Sequence, residues 1–520
     1  MTDQHDSESG QEEIIAFLKD PSTHPEAAGE VRHVTTHVAH VFLAGERAWK
    51  IKRAVAYSFL DFTGLEAREE VCRREVELNR RTAPQIYLGV HAITRARDGG
   101  LEFDGAGETL DWVIEMRRFD QALMFDHLIE QGELEPRHII DLVDRVHDLH
   151  VQAERLAAPY GGTEGLQGVV EENAEDMKAM PACFTPDAVA DLTRRSRTAL
   201  ERVGPLLDRR REEGWVRQCH GDLHLGNVVL WQEQATPFDC IEFSQRIAGI
   251  DVVYDLAYLL MDLVNRDHRH FANLAMNRYL SRVGQVGVLD ALPLMLSIRA
   301  AVRAKVTAAA VDAQEDKAEA ERLTDAAGRF FALARQFLEP ADQPRLIAVG
   351  GFSGTGKSTL AAGLAPAVGR APGALHLRSD MIRKRLQGVA PETRLPQDAY
   401  SADVSRKVYD TLFAEATAAL KAGQSVIADA VWAKPEERGQ LEALARDCGA
   451  AFRGLWLEAP RETLEARIEG RRNDSSDATV SVLEHQLTHE TGEIAWPRLD
   501  TGNGAEAVLA RAQERLGLES

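Results

Sequence analysis

Apolar and polar positions alternate along His33–Gly45 (HVTTHVAHVFLAG) and again along Arg47–Val55 (RAWKIKRAV), with a turn at Gly45–Glu46 between them. A period of two on either side of a glycine turn predicts a β-hairpin. Glu66–Arg81 (EAREEVCRREVELNRR) reads as a helix, while Ala83–Arg95 (APQIYLGVHAITR) and Leu110–Asp120 (LDWVIEMRRFD) return to the strand pattern. The last of these strands ends near Met116–Arg118, where a hinge to a second, helical lobe is expected. From Leu123 the spacing turns helical, most clearly in Ile139–His150 (IIDLVDRVHDLH) and again over Leu292–Leu338. After the polar, two-proline stretch Glu339–Pro344 the pattern changes once more. Short apolar runs (RLIAVG, ALHL, SVIADA, FRGLWLE) alternate with helical segments, which predicts a parallel sheet covered on both faces. The expected division is a polar lead-in over 1–30 with one short helix around Glu12–Lys19, a first domain over 31–338, a linker at 339–344, and a second domain over 345–520.

Composition narrows the function classes. A chain of 520 residues exceeds what one core supports. A net charge of -21 argues against a general binder of nucleic acid or anionic membrane. Five cysteines (Cys72, Cys183, Cys219, Cys240, Cys448) form no C-x-x-C, so neither a disulfide framework nor a zinc site is expected. The acidic start is no signal peptide, and the most apolar stretch, near Leu256–Val264, carries aspartate. The expected setting is the reducing cytoplasm. His33, His37 and His40 suggest a metal only superficially, since a continuous strand would place His33 and His37 on one face and His40 on the other. His485 and His489 are helically spaced but have no third ligand nearby.

The most specific chemistry lies at Gly351–Thr359 (GFSGTGKST), which fits G-x-x-x-x-G-K-[ST]. Glycines turn backbone N–H groups inward around phosphates, the lysine reaches the terminal phosphates, and the hydroxyl holds Mg²⁺. A strand (RLIAVG) before it and a helix (STLAAGLAPAV) after it supply the geometry that anion binding needs. Gly351, Ser353, Gly354, Thr355, Gly356, Lys357, Ser358 and Thr359 are the expected ATP-binding residues. Ligands of parallel sheets lie at the carboxyl ends of the strands, which draws in Asp380 and Asp429. Asp380 suits activation of an incoming hydroxyl, with a helix cap as its structural alternative. Asp429 suits Mg²⁺. Arg467, Arg471 and Arg472 would bring positive charge on a closing lid, against the plainer reading of a solvated helix end.

A second set lies in His220–Asn227 (HGDLHLGN) and the following PFDCIEF. An aspartate, an asparagine five residues on and a further acid after a short strand suit phosphoryl transfer: Asp222 as base, with Asn227 and either Glu242 or Asp239 on Mg²⁺. On a continuous strand Asp239 and Glu242 would face opposite ways. Lys50 and Lys52 share one strand face and could reach phosphates if Glu75 or Glu77 steadies them.

HGDLHLGN resembles the catalytic loop of the aminoglycoside phosphotransferase family over roughly residues 30–330. The resemblance implies a protein-kinase-like α+β domain of two lobes, with Asp222 as catalytic base, Asn227 as metal ligand, Lys50 as the phosphate-pairing lysine and Glu75 as its helix partner. Lys52 stays open as an alternative. The family usually carries Ile-Asp where this chain has Ile241-Glu242, so Glu242 is favoured as second metal ligand over Asp239. Asp251 and Asp255 match acids that support the loop. Residues 344–515 resemble small-molecule P-loop kinases of the zeta-toxin and chloramphenicol-phosphotransferase type, implying an α/β domain with a parallel sheet. This second resemblance matches Lys357 and Ser358 to phosphate and Mg²⁺, Asp380 to the hydroxyl-activating acid and Arg467, Arg471 and Arg472 to the lid. Ser476-Asp477 resembles a pair in the lid region of some members. The reading is a bifunctional ATP- and Mg²⁺-dependent kinase of small-molecule hydroxyls. The alternatives are a P-loop kinase of a nucleotide-linked sugar, or one domain acting as a nucleotide-sensing regulator.

Overall fold

The computed structural model describes residues 9–24, 29–57, 60–311, 314, 316–470, 477–488 and 490–518. Contacts group the chain into two compact units, one of Met1–Leu166 with Leu207–Leu259 and one of Gln167–Leu206 with Leu260–Ser520.

In the first unit, α1 (Glu12–Lys19) precedes β1 (Arg32–Thr35), β2 (Ala39–Ala44) and β3 (Arg47–Lys52). Then come α2 (Leu65–Asn79), β4 (Tyr87–Arg95), β5 (Leu101–Phe103) and β6 (Thr109–Arg117). The strands form one antiparallel sheet in the order β1-β2-β3-β6-β4-β5. Alternation along β3 sets up the chemistry. Ile51 packs with Phe42, Ile93 and Val113 against Ile14 and Leu18 of α1. Ala48 packs on the opposite face with Cys72 and Val76 of α2, and the period of two puts Lys50 and Lys52 on that same face. The lead-in helix is therefore part of the sheet's packing, and Gln11 just before it donates to the Lys52 carbonyl at 2.9 Å.

The histidines correct one expectation. The stretch 33–45 is not one strand; it breaks at 36–38 into β1 and β2, which pair with Thr35 opposite His40. The His33 and His40 rings consequently meet, Nε2 to Nδ1 at 3.1 Å. A chain reversal overrides the alternation that a continuous strand would impose.

Farther along the first unit, α3 (Pro136–Gln152) buries Ile139, Leu142, Val143 and Val146. Two short antiparallel pairs frame the HGDLHLGN loop: β7 (Val216–Gln218) with β10 (Gly249–Asp251), and β8 (Val228–Trp231) with β9 (Gln234–Pro237). This is the antiparallel-sheet-plus-helical arrangement of the kinase-like fold.

The second unit carries α4 (Arg269–Val283), α5 (Leu292–Ala309) and α6 (Lys317–Phe337) ahead of a five-stranded sheet. β11 (Arg345–Gly350) leads into α7 (Lys357–Leu364), then β12 (Leu375–Arg378), α8 (Ser379–Leu386), α9 (Ala402–Lys421) and β13 (Val426–Asp429). β14 (Ala451–Glu458), α10 (Arg461–Glu469), α11 (Val480–Leu487), β15 (Arg498–Asp500) and α12 (Ala505–Leu516) complete it. All four pairings are parallel, in the order β12-β13-β11-β14-β15. Ile347, Val349, Ile427, Leu455 and Leu457 pack with Leu360 and Leu364 of α7 and with Val508 and Ala512 of α12. Their unbroken apolar runs reflect burial on both faces of a parallel sheet.

Helices α4 to α6, expected in the first domain, group with this sheet. Two hydrogen bonds tie α4 to it. β12 is an edge strand, and its His376 N–H donates to Asn277 Oδ1 at 2.7 Å, while Asn273 Nδ2 donates to the Ala374 carbonyl at 3.0 Å. Asn277→Ala leaves that backbone donor unpaired and is expected to cost about 1–3 kcal/mol. A lower Tm of the full chain is the readout, and an unchanged Tm would contradict the bracing role. Among the described residues no helix is long and apolar enough to cross a membrane.

Candidate active sites

In the first unit one carboxylate serves two lysines. Lys50 Nζ lies 2.7 Å from Glu75 Oε1 and 2.7 Å from Asp239 Oδ1. Lys52 Nζ lies 2.6 Å from Glu75 Oε2 and 2.5 Å from Glu242 Oε1. Glu77 points away from both lysines and pairs with Arg74 at 2.9 Å. Burial pulls the Lys50 ammonium down, but the carboxylates of Asp239 and Glu75 outweigh it and hold it well above its ordinary range.

The two triads differ in access. The Asp239 side chain is 44% exposed, whereas Lys52 and Glu242 are 2% and 5% exposed. Burial pushes the Glu242 carboxyl up, and Lys52 only partly reverses it. Opposite orientation of Asp239 and Glu242 does not hold, because the segment is not a continuous strand. Asp239 sits at φ 60°, in the left-handed region, so both acids turn toward the lysines of β3. Three N–H groups pin the segment: Asp239 donates to Tyr87 Oη, Cys240 to Asn79 Oδ1, and Ile241 to the His220 carbonyl. The acid beside the less buried lysine is thus Asp239, and Glu242, favoured from the sequence as metal ligand, is enclosed with Lys52.

Asp222 stands partly exposed in the loop, and Asn227 Nδ2 donates to its Oδ2 at 2.9 Å and to its carbonyl at 3.0 Å. The loop is held from behind. Asp255, fully buried, accepts from the His220 and Gly221 N–H groups at 3.1 and 2.9 Å and lies 3.0 Å from His150 Nε2. Asp251 takes both arms of Arg210 at 2.7 and 2.9 Å. Sequence reasoning missed Asn79, Tyr87 and His150; their partners lie 105 to 161 residues away, a separation no local motif records.

In the second unit Gly351, Gly354 and Gly356 all adopt positive φ. A Cβ at Gly351 would lie 2.7 Å from the Leu457 carbonyl, and one at Gly354 would lie 2.8 Å from the Leu464 carbonyl. This is a cradle only glycine can form, and its shape and donors fit a triphosphate. Lys357 Nζ rests 3.0 Å from the Phe352 carbonyl, and the Ser353 N–H donates to Gln486 of α11 at 2.8 Å. Thr355 is buried with its hydroxyl on the Phe352 carbonyl at 2.8 Å, while Thr359 is exposed and lines the cavity beside the loop.

Asp429 ends β13 with Val349 opposite it on one side and Arg378 on the other. Its Oδ2 accepts from Ser358 Oγ at 2.6 Å and lies 3.2 Å from His376 Nε2. Burial pushes this carboxyl up, but the His376 hydrogen bond and charge, with Arg378 and Lys357, hold it down at about 2. An ionised acid joined to a serine hydroxyl at the loop is a donor set that fits Mg²⁺.

A cavity opens beside the loop, walled by Lys357, Ser358, Asp380, Arg383, Tyr400 and Tyr409 among others. Asp380 lies in the first turn of α8, whose N-cap is Arg378, so it is not the helix cap. Its carboxylate makes no hydrogen bond or ion pair among the described residues and lines the cavity. Arg467, one of the three arginines expected on a lid, lies against the P-loop. It donates to Thr501 Oγ1 at 3.0 Å and to the Thr501 and Gly354 carbonyls at 2.6 and 3.4 Å. Those bonds tie it to the loop's backbone, outside the cavity wall. Arg471, Arg472, Ser476 and His489 lie outside the described residues. Asp477 accepts from Tyr400 Oη at 2.9 Å and from the Leu395 N–H at 3.0 Å.

Fold and sites together define a multidomain chain with a kinase-like scaffold followed by a P-loop scaffold. Residues 346–491 match the family described as AAA domain. The uncharacterized protein Rv2004c of Mycobacterium tuberculosis is 30% identical over 487 residues, spanning 92% of this chain and 93% of that protein. The chain belongs to the same family as Rv2004c. Among solved structures, a choline kinase from Cryptosporidium parvum covers 62% of this chain and 94% of its own, at 12% identity and a TM-score of 0.41. A sugar kinase from Janibacter sp. covers 34% of this chain and 95% of its own, at 23% identity and a TM-score of 0.25.

Proposed function

We propose that the chain is an ATP-dependent phosphotransferase with one active site in each unit, each passing a phosphoryl group to a hydroxyl of a small molecule. The observation that carries this reading is Asp380, a carboxylate with no partner among the described residues, walling the same cavity as Lys357 and Ser358. A carboxylate at that place can receive the proton of a hydroxyl group seated in the cavity. Bound ATP with Mg²⁺ supplies the phosphoryl group and screens its charge. Lys357 and the loop N–H groups orient the phosphates, Ser358 and Asp429 are the metal-holding pair, and Asp380 takes the acceptor's hydroxyl proton. In the first unit Lys50 orients phosphate, Asp222 takes the proton, and Asn227 with Asp239 is the metal-holding pair. The acceptor class suggested by the P-loop half is that of the small-molecule kinases it resembles.

The test is a screen of hydroxylated small molecules with γ-labelled ATP, using the full chain because α4 braces the second sheet. Two nucleotide sites are expected by calorimetry. Lys357→Ala should weaken one of them about 10- to 150-fold, corresponding to a charge-assisted contact of about 1.5–3 kcal/mol. Two sites of parental affinity in that variant would sink the assignment, as would failure of every acceptor to take label.

A further inference from the structure

The second unit contains another cavity, of about 1140 Å³, that shares no lining residue with the P-loop cavity. It lies at the opposite end of the sheet. Arg345, the first residue of β11, is on its wall, and the P-loop begins only after Gly350, roughly 16 Å along the strand. Five arginines line it: Arg269, Arg329, Arg345, Arg370 and Arg453.

None of the five forms an ion pair among the described residues. Arg269 donates to the Gly369 carbonyl at 2.5 Å, and its Nε is buried without a partner. Arg370 is spent on the Ala422 and Leu289 carbonyls and the Gln424 amide oxygen. Arg345 reaches the Leu516 carbonyl, Arg453 the carbonyl of Phe452, and Arg329 makes no hydrogen bond among the described residues. Three carboxylates, Asp267, Glu339 and Asp342, share the wall without pairing to these arginines, so the lining keeps a surplus of positive charge. In a chain of net charge -21, acids to neutralise five arginines are plentiful, yet among the described residues none forms an ion pair with these five. Burial alone lowers Arg269, with no carboxylate opposing it, and burial brings Arg370 down to about 10 although Asp290 pulls the other way. Enclosing guanidinium groups without counter-charge is costly unless an anion completes them. Guanidinium matches phosphate oxygens in a two-pronged fit, and Leu333, Phe337 and Pro293 add an apolar wall.

We propose that this cavity binds a small molecule bearing two or more phosphates, at a site separate from both candidate active sites. The geometry requires the phosphates to lie among the arginines and any apolar portion against Leu333 and Phe337.

The experiment uses the full chain with inorganic tripolyphosphate as probe. Calorimetry is run with and without a saturating non-hydrolysable ATP analogue and Mg²⁺. One tripolyphosphate site that persists under saturation is expected, about tenfold weaker in an Arg329→Ser/Arg453→Ser double variant. Both side chains are exposed, so the unliganded Tm of that variant should match the parent's. Arg269→Gln should weaken binding further; if it does not fold, the double variant alone decides. No tripolyphosphate heat under saturation, equal affinity in the double variant, or a site abolished by Lys357→Ala but not by the arginine changes would each overturn the proposal. Were the ATP analogue itself not to bind, tripolyphosphate binding sensitive to Arg329 and Arg453 would still support this site while counting against the nucleotide sites.

Discussion

Asp222→Asn is expected to slow phosphoryl transfer by the first unit about 10²- to 10⁴-fold, with little change in nucleotide affinity. The substitution is nearly isosteric, and an amide oxygen can still accept from Asn227 Nδ2, which stands 2.9 Å from Asp222 Oδ2. The buried brace at Asp255 is untouched. The loop therefore keeps its shape, and what is lost is a group able to take a proton. In the proposed reading Lys50 orients the phosphates and Asp239 would act on them only through Mg²⁺, so nucleotide binding should survive. The measurement is single-turnover transfer of label to an acceptor found in the screen, in a Lys357→Ala background that silences the second unit. A parental rate there would remove Asp222 from the role of base.

The second large effect separates Asp239 from Glu242. Asp239→Asn should reduce Mg²⁺-dependent transfer in the first unit about 10²- to 10³-fold, because a charged group at a preorganised phosphate site is lost. Stability should change less, since Lys50 keeps Glu75 at 2.7 Å and the Asp239 side chain is already 44% exposed. Glu242→Gln should do the opposite. It removes one of two carboxylates from a lysine that is 2% exposed, and breaking a buried pair costs about 3–5 kcal/mol. The shared Glu75 should keep the loss toward the lower end. The paired readouts are the Mg²⁺ dependence of transfer and the Tm of the full chain. If Glu242→Gln abolishes Mg²⁺ dependence while Asp239→Asn leaves it intact, the metal position belongs to Glu242 after all.

That contrast marks where the sequence stops being legible. The P-loop can be read from its own residues, because three glycines at positive φ, a lysine and a serine act within nine positions. The face shared by Lys50 and Lys52 follows from the period of a strand, and their approach to Glu75 from a strand-then-helix order. The orientation of Asp239 does not follow from either. One residue at φ 60° reverses the alternation on which the sequence argument rested. The contacts of Arg467 were hidden for a different reason: its helical spacing with Arg471 suggested a lid, while its partner, Thr501, lies 34 residues farther on. Arg383, Tyr400 and Tyr409 were invisible as cavity residues because α8, the segment before α9 and α9 itself meet only in three dimensions. The grouping of α4 to α6 with the parallel sheet was hidden similarly, since the Asn273 and Asn277 contacts span 99 to 101 residues.

Those two asparagines have a consequence for solubility. The outward-facing amides and carbonyls of an edge strand form a template on which another chain can pair. The Ala374 carbonyl just before β12 and the His376 N–H within it are already occupied by side chains of α4, so two positions of that template are closed. At the other edge, β15 is only three residues long, too short to recruit a strand firmly. Freed of α4, the same sheet would offer β12 to its neighbours, and association through that edge would follow from exposure of backbone groups rather than from unfolding. Expression of residues 341–520 without the helices is thus a route to aggregates built from a native-like sheet.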